Sequence, residues 1–354
     1  MPAGGVSWAA ETVIEPREAE RACPWPGQLV TLKCQFSDMQ NFSTVVAVAQ
    51  VGSTLFDTPQ TLEKLEAFSR EAAGGGARLA VFPEALLGGY PKGVTFGTAV
   101  GSRSPEGREW FRRYWSAAVD VPGPETNRLQ ALADELDLTL VVGAIERRGG
   151  TLFCSTLTFL PRAPQPHIHR KLMPTAAERT IWGCGDGSTM AVLASPVGRI
   201  GCAICWENYM PAYRQHLYNQ GVELWCAPTV DDREIWQSSM RHIAYEGRCF
   251  VLSACQYLTR AECPADYDPI QGNDPATVLI GGGSIIVSPL GETLAGPLRG
   301  REGVLWAELD PGDIVRGKFD LDVAGHYARP DIFTLGVNAQ SAITWNQGAR
   351  TTPD

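Results

Sequence analysis

Apolar runs in this chain are short, and polar or turn-forming stretches separate them at close intervals. Val45-Val-Ala-Val-Ala-Gln-Val51 predicts a first buried strand. Pro59 opens a predicted helix in which Leu62, Leu65, Phe68 and Ala72 share a face, ended by Gly74-Gly-Gly. Leu79 to Phe82 reads as a second strand that delivers Glu84 into a Gly/Pro-rich turn. The polar stretch from Gly88 to Gly107 is too long for a plain connection and predicts a functional loop. Helical spacing returns over Glu109 to Ala118 and Thr126 to Leu136. Leu138 to Ile145 and Leu152 to Leu160 then predict a strand pair joined at Arg147-Arg-Gly-Gly150. Further strands are predicted at Met190 to Leu193, Ile200 to Ile204, Val222 to Ala227, Cys249 to Cys255, Gly281 to Val287 and Val304 to Leu309. Helices are predicted over Tyr209 to Asn219 and over Glu234 to Glu246, the second with Trp236, Met240 and Ile243 inward, and residues 259–276 read as a surface excursion.

Strands and helices alternate, but hairpins interrupt them, which fits a purely parallel doubly wound sheet poorly. The pattern predicts an α/β fold of two mixed sheets packed face to face with helices outside. Residues 1–40 are Gly/Pro/Glu-rich with little periodicity and predict a flexible N-terminal extension, with Met39 as an alternative start. Residues 41–340 would form a single domain, and 341–354 a C-terminal tail.

The chain has 354 residues, of which 44% are hydrophobic and 19% charged, an ordinary globular composition. A net charge of −9 disfavours a nucleic-acid groove or an anionic membrane surface as partner. No apolar run approaches a membrane span, and the start, Met1-Pro-Ala-Gly-Gly, lacks a basic region followed by an apolar core, so a cytoplasmic protein is expected. Ten cysteines at irregular spacing in so long a chain do not read as a disulfide scaffold. Cys202-x-x-Cys205 has the spacing of a metal or redox pair, but residues three apart in a strand point to opposite faces, and no second such pair exists. No metal site is expected.

Cys205 follows the apolar run Ile200 to Ile204 and precedes Trp206-Glu-Asn and Pro211, a strand end facing the start of a helix. Backbone N–H groups and a helix dipole there would favour a thiolate. Glu84 follows another strand end, in Phe82-Pro-Glu84, and Lys171 lies in His169-Arg-Lys171. Singly, each has an ordinary explanation: a buried small hydrophobe, a solvated cap, a lysine in water. Together they would supply a nucleophile, a base and a cation.

These motifs resemble the nitrilase branch of the carbon–nitrogen hydrolase superfamily. The resemblance runs from about Val45 to about Leu335 and includes Phe82-Pro-Glu84, His169-Arg-Lys171, Glu178-Arg-Thr-Ile-Trp-Gly183 with Gly185-Asp-Gly187, Cys205-Trp-Glu-Asn and Gly325-His-Tyr-Ala-Arg-Pro-Asp331. Ala227-Pro-Thr-Val-Asp-Asp-Arg233 and Gly281-Gly-Gly-Ser are similar to the plant-like nitrilases. The resemblance implies a four-layer α-β-β-α sandwich that pairs through the helices after the cysteine into dimers, which assemble further into spirals. It implies Cys205 as nucleophile, Glu84 as general base, Lys171 as transition-state cation and Glu178 as a second glutamate bordering the site. Trp206, Tyr90, Trp182 and Thr229 become candidate substrate-binding residues, while Glu207 would orient the turn and His326 would be structural. The implied substrate is a small nitrile, with water as co-substrate and no cofactor. An amidase or carbamoylase on the same scaffold, or a non-catalytic assembly protein, are the alternatives.

Overall fold

The computed structural model describes residues 43–341, so the expected extension over 1–40 with its alternative start, and nearly all of the tail over 341–354, lie outside the described residues. Two mixed sheets dominate. The six-stranded one runs in the order Gly303–Leu309, Thr44–Gln50, Leu79–Val81, Thr139–Arg148, Thr151–Phe159, His167–Arg170. The seven-stranded one runs Tyr257–Thr259, Val278–Val287, Phe250–Cys255, Leu224–Thr229, Gly198–Cys202, Leu193–Ser195, with Thr293–Arg299 paired to Val278–Val287 outside that path. At the centre of each sheet the pairs are parallel, Thr44–Gln50 with Leu79–Val81 and Leu224–Thr229 with Phe250–Cys255.

Three apolar layers explain why the central strands are apolar on both faces. Val46, Val48, Leu79 and Val81 of one sheet meet Ile200, Leu224, Cys226, Leu252 and Ile286 of the other. Their neighbours in sequence point the opposite way, as the two-residue period of a strand requires. Ala47, Ala49 and Ala80 pack under the helices Thr58–Gly74 and Pro124–Leu136 through Leu62, Leu65, Leu129 and Leu132. Trp225, Ala227 and Val251 pack under Pro211–Asn219 and Glu234–Gly247 through Leu217, Trp236, Met240 and Ile243. Helix, sheet, sheet and helix follow in that order, the expected sandwich.

Some elements differ from expectation. Met190 to Leu193 is not a strand: a 3₁₀ turn, Gly187–Thr189, precedes it, and the Met190 carbonyl accepts from the side chains of His216 (3.0 Å) and Gln220 (3.1 Å) instead of a ladder partner. Pairing begins only at Leu193. The helix expected from Glu109 starts at Pro105, because Ser104 Oγ caps it by accepting from Gly107 N at 3.0 Å. The strand Thr293–Arg299 was not expected; most of its residues are exposed, so it carries no burial period. The long loop after Gly88 holds a short hairpin, Thr98–Ala99 with Ser102–Arg103, and is tied to the 259–276 excursion by Tyr267, whose hydroxyl donates to Lys92 O at 2.6 Å.

Candidate active site

Both sheets point carboxyl ends of strands to one place. Glu84 follows Leu79–Val81, Lys171 follows His167–Arg170, Cys205 follows Gly198–Cys202, and Thr229 ends Leu224–Thr229. Close approach of backbone makes this convergence: a Cβ on Gly143, in the strand beside Glu84, would sit 2.1 Å from Pro83 O and 2.7 Å from Glu84 Cα. Gly185 plays the same part against the lysine loop, where its N–H donates to Lys171 O at 2.8 Å and a Cβ would sit 2.3 Å from Arg170 O.

Lys171 is the hub. It is fully buried, and Nζ donates to Glu84 Oε1 at 2.6 Å and to Glu178 Oε2 at 2.8 Å. An ammonium has three donors, so one remains for a group entering the site. Burial alone would lower the Lys171 pKa, but Glu84 and then the neighbouring thiols outweigh it and hold it well above the usual lysine value. Glu178 is fixed by two further donors, Thr175 N at 2.6 Å and Tyr90 Oη at 2.7 Å. Glu84 is the more deeply placed of the two carboxylates. Burial raises its pKa, against the opposing pull of Lys171, and its Oε2 is buried without a hydrogen bond while Oε1 takes Lys171 and, at 3.6 Å, Cys154.

Cys205 opens a single 3₁₀ turn, Cys205–Tyr209, with φ at +49°, a left-handed conformation that costs a non-glycine residue about 1–2 kcal/mol. Asn208 helps hold it there, its Nδ2 donating to Ala203 O at 2.9 Å and Cys205 O at 2.8 Å, with Oδ1 accepting from Trp225 Nε1 at 2.8 Å. The residue is buried, and its sulfur accepts from Thr229 Oγ1 at 3.3 Å. The expectation of a resting thiolate is corrected here. The α-helix begins only at Pro211, beyond the turn, and burial together with the Glu84 charge pushes the thiol pKa up, against Lys171 and Thr229. Sulfur therefore rests as a thiol beside an oxygen free to take its proton and an ammonium able to hold a nearby anion.

The candidate pocket residues surround this centre. A cavity of about 220 Å³ is lined by Cys205, Trp206, Tyr90, Glu178 and Arg233, and another of about 140 Å³ by Tyr90, Trp182 and Phe96. Trp206 is 41% exposed, its Nε1 donates to Asp231 Oδ2 at 2.9 Å, and Arg233 lies over its ring at 5.2 Å. Trp182 is buried, edge-on to Tyr90 with its ring 5.5 Å from Lys171 Nζ, and donates to Tyr114 Oη. Thr229 belongs to a strand end rather than a loop. A larger cleft of about 960 Å³ shares no lining residue with the centre, and its Lys64, Arg112 and Arg113 are already paired with Glu302, Glu109 and Asp266.

Sequence reasoning missed two contributors. Gln256, just past Phe250–Cys255, donates to Glu84 O at 2.7 Å, and its Oε1 accepts from Ser53 N and Oγ. His169 was read only as part of a motif, yet it is buried and bonded to Glu207 at 3.0 Å. The two sulfurs of Cys202-x-x-Cys205 have separate partners, Cys202 lying 3.8 Å from Thr158 Oγ1 and beside Cys226. Among the described residues no group of three or more His, Cys, Asp or Glu could hold a metal ion. His326 is exposed, against Tyr327.

The sequence profile of the Carbon-nitrogen hydrolase family matches residues 45–319. The chain is 54% identical over 292 residues to a nitrilase of Bradyrhizobium diazoefficiens, covering 82% of this chain and 91% of that one. It is 52% identical to an aliphatic nitrilase of Sinorhizobium fredii, covering 83% and 95%, and 52% identical to a bifunctional nitrilase/nitrile hydratase of Lupinus angustifolius, covering 84% and 87%. In fold it is similar to an amidase of the nitrilase superfamily from Nesterenkonia AN1 (TM-score 0.57, 17% identity, 78% and 94% covered). The NitFhit protein of C. elegans is another such neighbour (TM-score 0.64, 17% identity, 85% and 69% covered).

Proposed function

The chain belongs to the carbon–nitrogen hydrolase family, and from that membership we propose that it is a nitrilase, hydrolysing an organic nitrile to the carboxylic acid and ammonia. The observation that carries the reading is the Lys171 ammonium bridged between Glu84 and Glu178 beside the buried Cys205, in a chain about half identical to proteins named nitrilases.

A nitrile carbon is a poor electrophile, so attack needs a strong nucleophile and a partner for the charge that forms on nitrogen. Cys205 Sγ adds to the nitrile carbon as its proton passes to Glu84 Oε2, the buried oxygen with no hydrogen bond of its own. The same proton moves on to nitrogen, next to the free donor of Lys171, and gives a thioimidate. Water adds, its proton handled by Glu84, and the tetrahedral carbon expels ammonia to leave a thioester. A second water releases the carboxylic acid and restores the thiol. One nitrile and two waters thus become one acid and one ammonia. Glu178 is assigned the task of fixing Lys171, with Tyr90 fixing Glu178 in turn. Trp206 and Trp182 supply the pocket's aromatic walls, and Thr229 orients the sulfur.

A second outcome of the same intermediate is the amide, formed when sulfur leaves instead of nitrogen. The similarity to a relative named bifunctional nitrilase/nitrile hydratase favours testing it. Ammonia, acid and amide are measured from aliphatic, aromatic, arylacetonitrile and cyanoalanine substrates, with the matched amides run beside them. Acid and ammonia from nitriles, lost in Cys205→Ala, is the expected result. Release from amides alone would move the protein to the amidases, and inactivity on both would leave a non-catalytic assembly protein. The proposal extends to dimers that assemble further, supported by Met210, Ile235 and Tyr245 exposed on and beside the helices after the cysteine, and light scattering showing only monomer would refute it. It also extends to a cytoplasmic setting, supported by the free cysteines among the described residues.

A further inference from the structure

One carboxylate ties together the two loops that carry Lys171 and Cys205. Glu207 is 1% exposed, in the same 3₁₀ turn as Cys205. Its Oε2 accepts from Ile204 N at 2.7 Å and from His169 Nε2 at 3.0 Å, and its Oε1 accepts from Leu172 N at 2.7 Å. Ile204 immediately precedes Cys205 and Leu172 immediately follows Lys171. Each backbone donor on Glu207 therefore neighbours a residue whose side chain must meet the other's. We propose that Glu207 and His169 form a positioning clasp that fixes the distance and angle between the Cys205 sulfur and the Lys171 ammonium. The proposal rests on the assignment of those two residues made above.

His169 serves as the donor half. Tyr213 Oη gives its proton to Cys202 O at 2.5 Å, so the contact from Tyr213 Oη to His169 Nε2, at 3.2 Å, leaves the imidazole as donor. Nε2–H then points between Tyr213 and Glu207. Nδ1 lies 3.3 Å from both the carbonyl and the hydroxyl of Thr189, so it can donate to the first or accept from the second. Nε2 donates to the Glu207 carboxylate, whose charge holds the imidazole pKa above the ordinary histidine value despite burial. The pair fixes two backbones at once, the carboxylate holding Ile204 N and Leu172 N while the imidazole holds the carboxylate. Cys205, at a positive φ, needs such external restraint.

A merely structural pair would lower the melting temperature and leave each folded active site as fast as before. A positioning clasp would also slow the sulfur. The variants are Glu207→Gln, whose amide keeps the shape but offers one oxygen to three donors, and His169→Gln beside His169→Ala, since an amide at 169 retains an N–H for Glu207. Three quantities are read on the full chain: kcat per titrated Cys205, KM, and the rate of Cys205 alkylation by iodoacetamide followed by peptide mass mapping. Displacements on the order of 1 Å cost up to about 100-fold. The expected result is a kcat lowered about 10- to 100-fold in Glu207→Gln and His169→Ala, KM within about threefold, Cys205 alkylation slowed alongside kcat, and a smaller loss in His169→Gln. Unchanged kcat per site and unchanged alkylation in folded variants would overturn the clasp. If the wild type turns over no nitrile, the alkylation arm still decides: slowing in the variants supports the clasp while the nitrilase reading fails.

Discussion

Replacing Lys171 by methionine tests the electrostatic centre of the site, because its consequences can be worked out before the measurement. The ammonium lies 2.6 Å from Glu84 and 2.8 Å from Glu178, with side-chain exposures of 0% for Lys171 and Glu84 and 10% for Glu178. Lys171→Met keeps the volume and removes the cation between two buried carboxylates. Breaking a buried pair from one side costs about 3–5 kcal/mol. At roughly 2–4 °C per kcal/mol this is a fall in Tm of roughly 10 °C near pH 8. Part of it is recoverable with acid. Without Lys171 the two carboxylates share a proton, which raises one folded-state pKa above the unfolded glutamate value of about 4.3. A carboxyl raised in this way stabilises fully below the unfolded value, and that stability is lost as pH climbs through the folded value. Over the part of that range where Glu84 stays charged in the wild type, the variant should gain about 1.4 kcal/mol relative to wild type for each pH unit of acidification. Its deficit at pH 5.5 should then be smaller than at pH 8, by at most about 3.5 kcal/mol. Denaturant titration of both proteins at three pH values measures this. On activity, losing a charged donor to the transition state should lower kcat by on the order of 10³ or more. A variant as stable as wild type at pH 8, or a deficit that does not change with pH, would show that the two glutamates do not depend on Lys171 for their charge.

Other consequences are simpler. If Glu84 is the base, its burial-raised pKa sets the acid limb of kcat/KM, so activity should fall on acidification at a pH above that of an ordinary glutamate, and Glu84→Gln should lose turnover at every pH. A pH–rate profile with an unshifted acid limb would contradict this. Gly143→Ala drives a methyl into Pro83 O and Glu84 Cα; stability should drop by at least about 2 kcal/mol and kcat should fall more than KM rises, since the base itself is displaced. Asn208→Leu leaves the Trp225 indole N–H and two carbonyls without their partner, which should cost about 2–4 kcal/mol, and it should make Cys205 more mobile, seen as a lower kcat in protein that melts early but is otherwise folded.

What the sequence conveyed, and what it did not, follows from the range of the interactions involved. Burial is written locally: Val46 and Val48 face the opposite sheet while Ala47 and Ala49 face helices, so the strand is apolar throughout and legible as such. The residue types at strand ends were legible as well, because Glu84, Lys171 and Cys205 each break an apolar or motif-bearing stretch. Thr293–Arg299 left no such trace, being mostly exposed, and Met190 looked like strand because its apolar side chain says nothing of where its carbonyl bonds. The protonation state of Cys205 was misread for a related reason. Local sequence suggested a helix start that would favour the thiolate, but burial of the sulfur decides the matter, followed by the charge of Glu84, distant in the chain and brought in by the Gly143 contact. The same holds for Glu207. As one letter after Trp206 it is a carboxylate near a turn; its role depends on His169 and Leu172, from another strand's end in the other sheet. In this chain the reacting groups stand out one at a time, whereas the charge and geometry that make them react come from pairs joined only by folding. Substitutions at Glu207, His169 and Gly143 are therefore the sharper tests of the site, because no resemblance of motifs requires their effects.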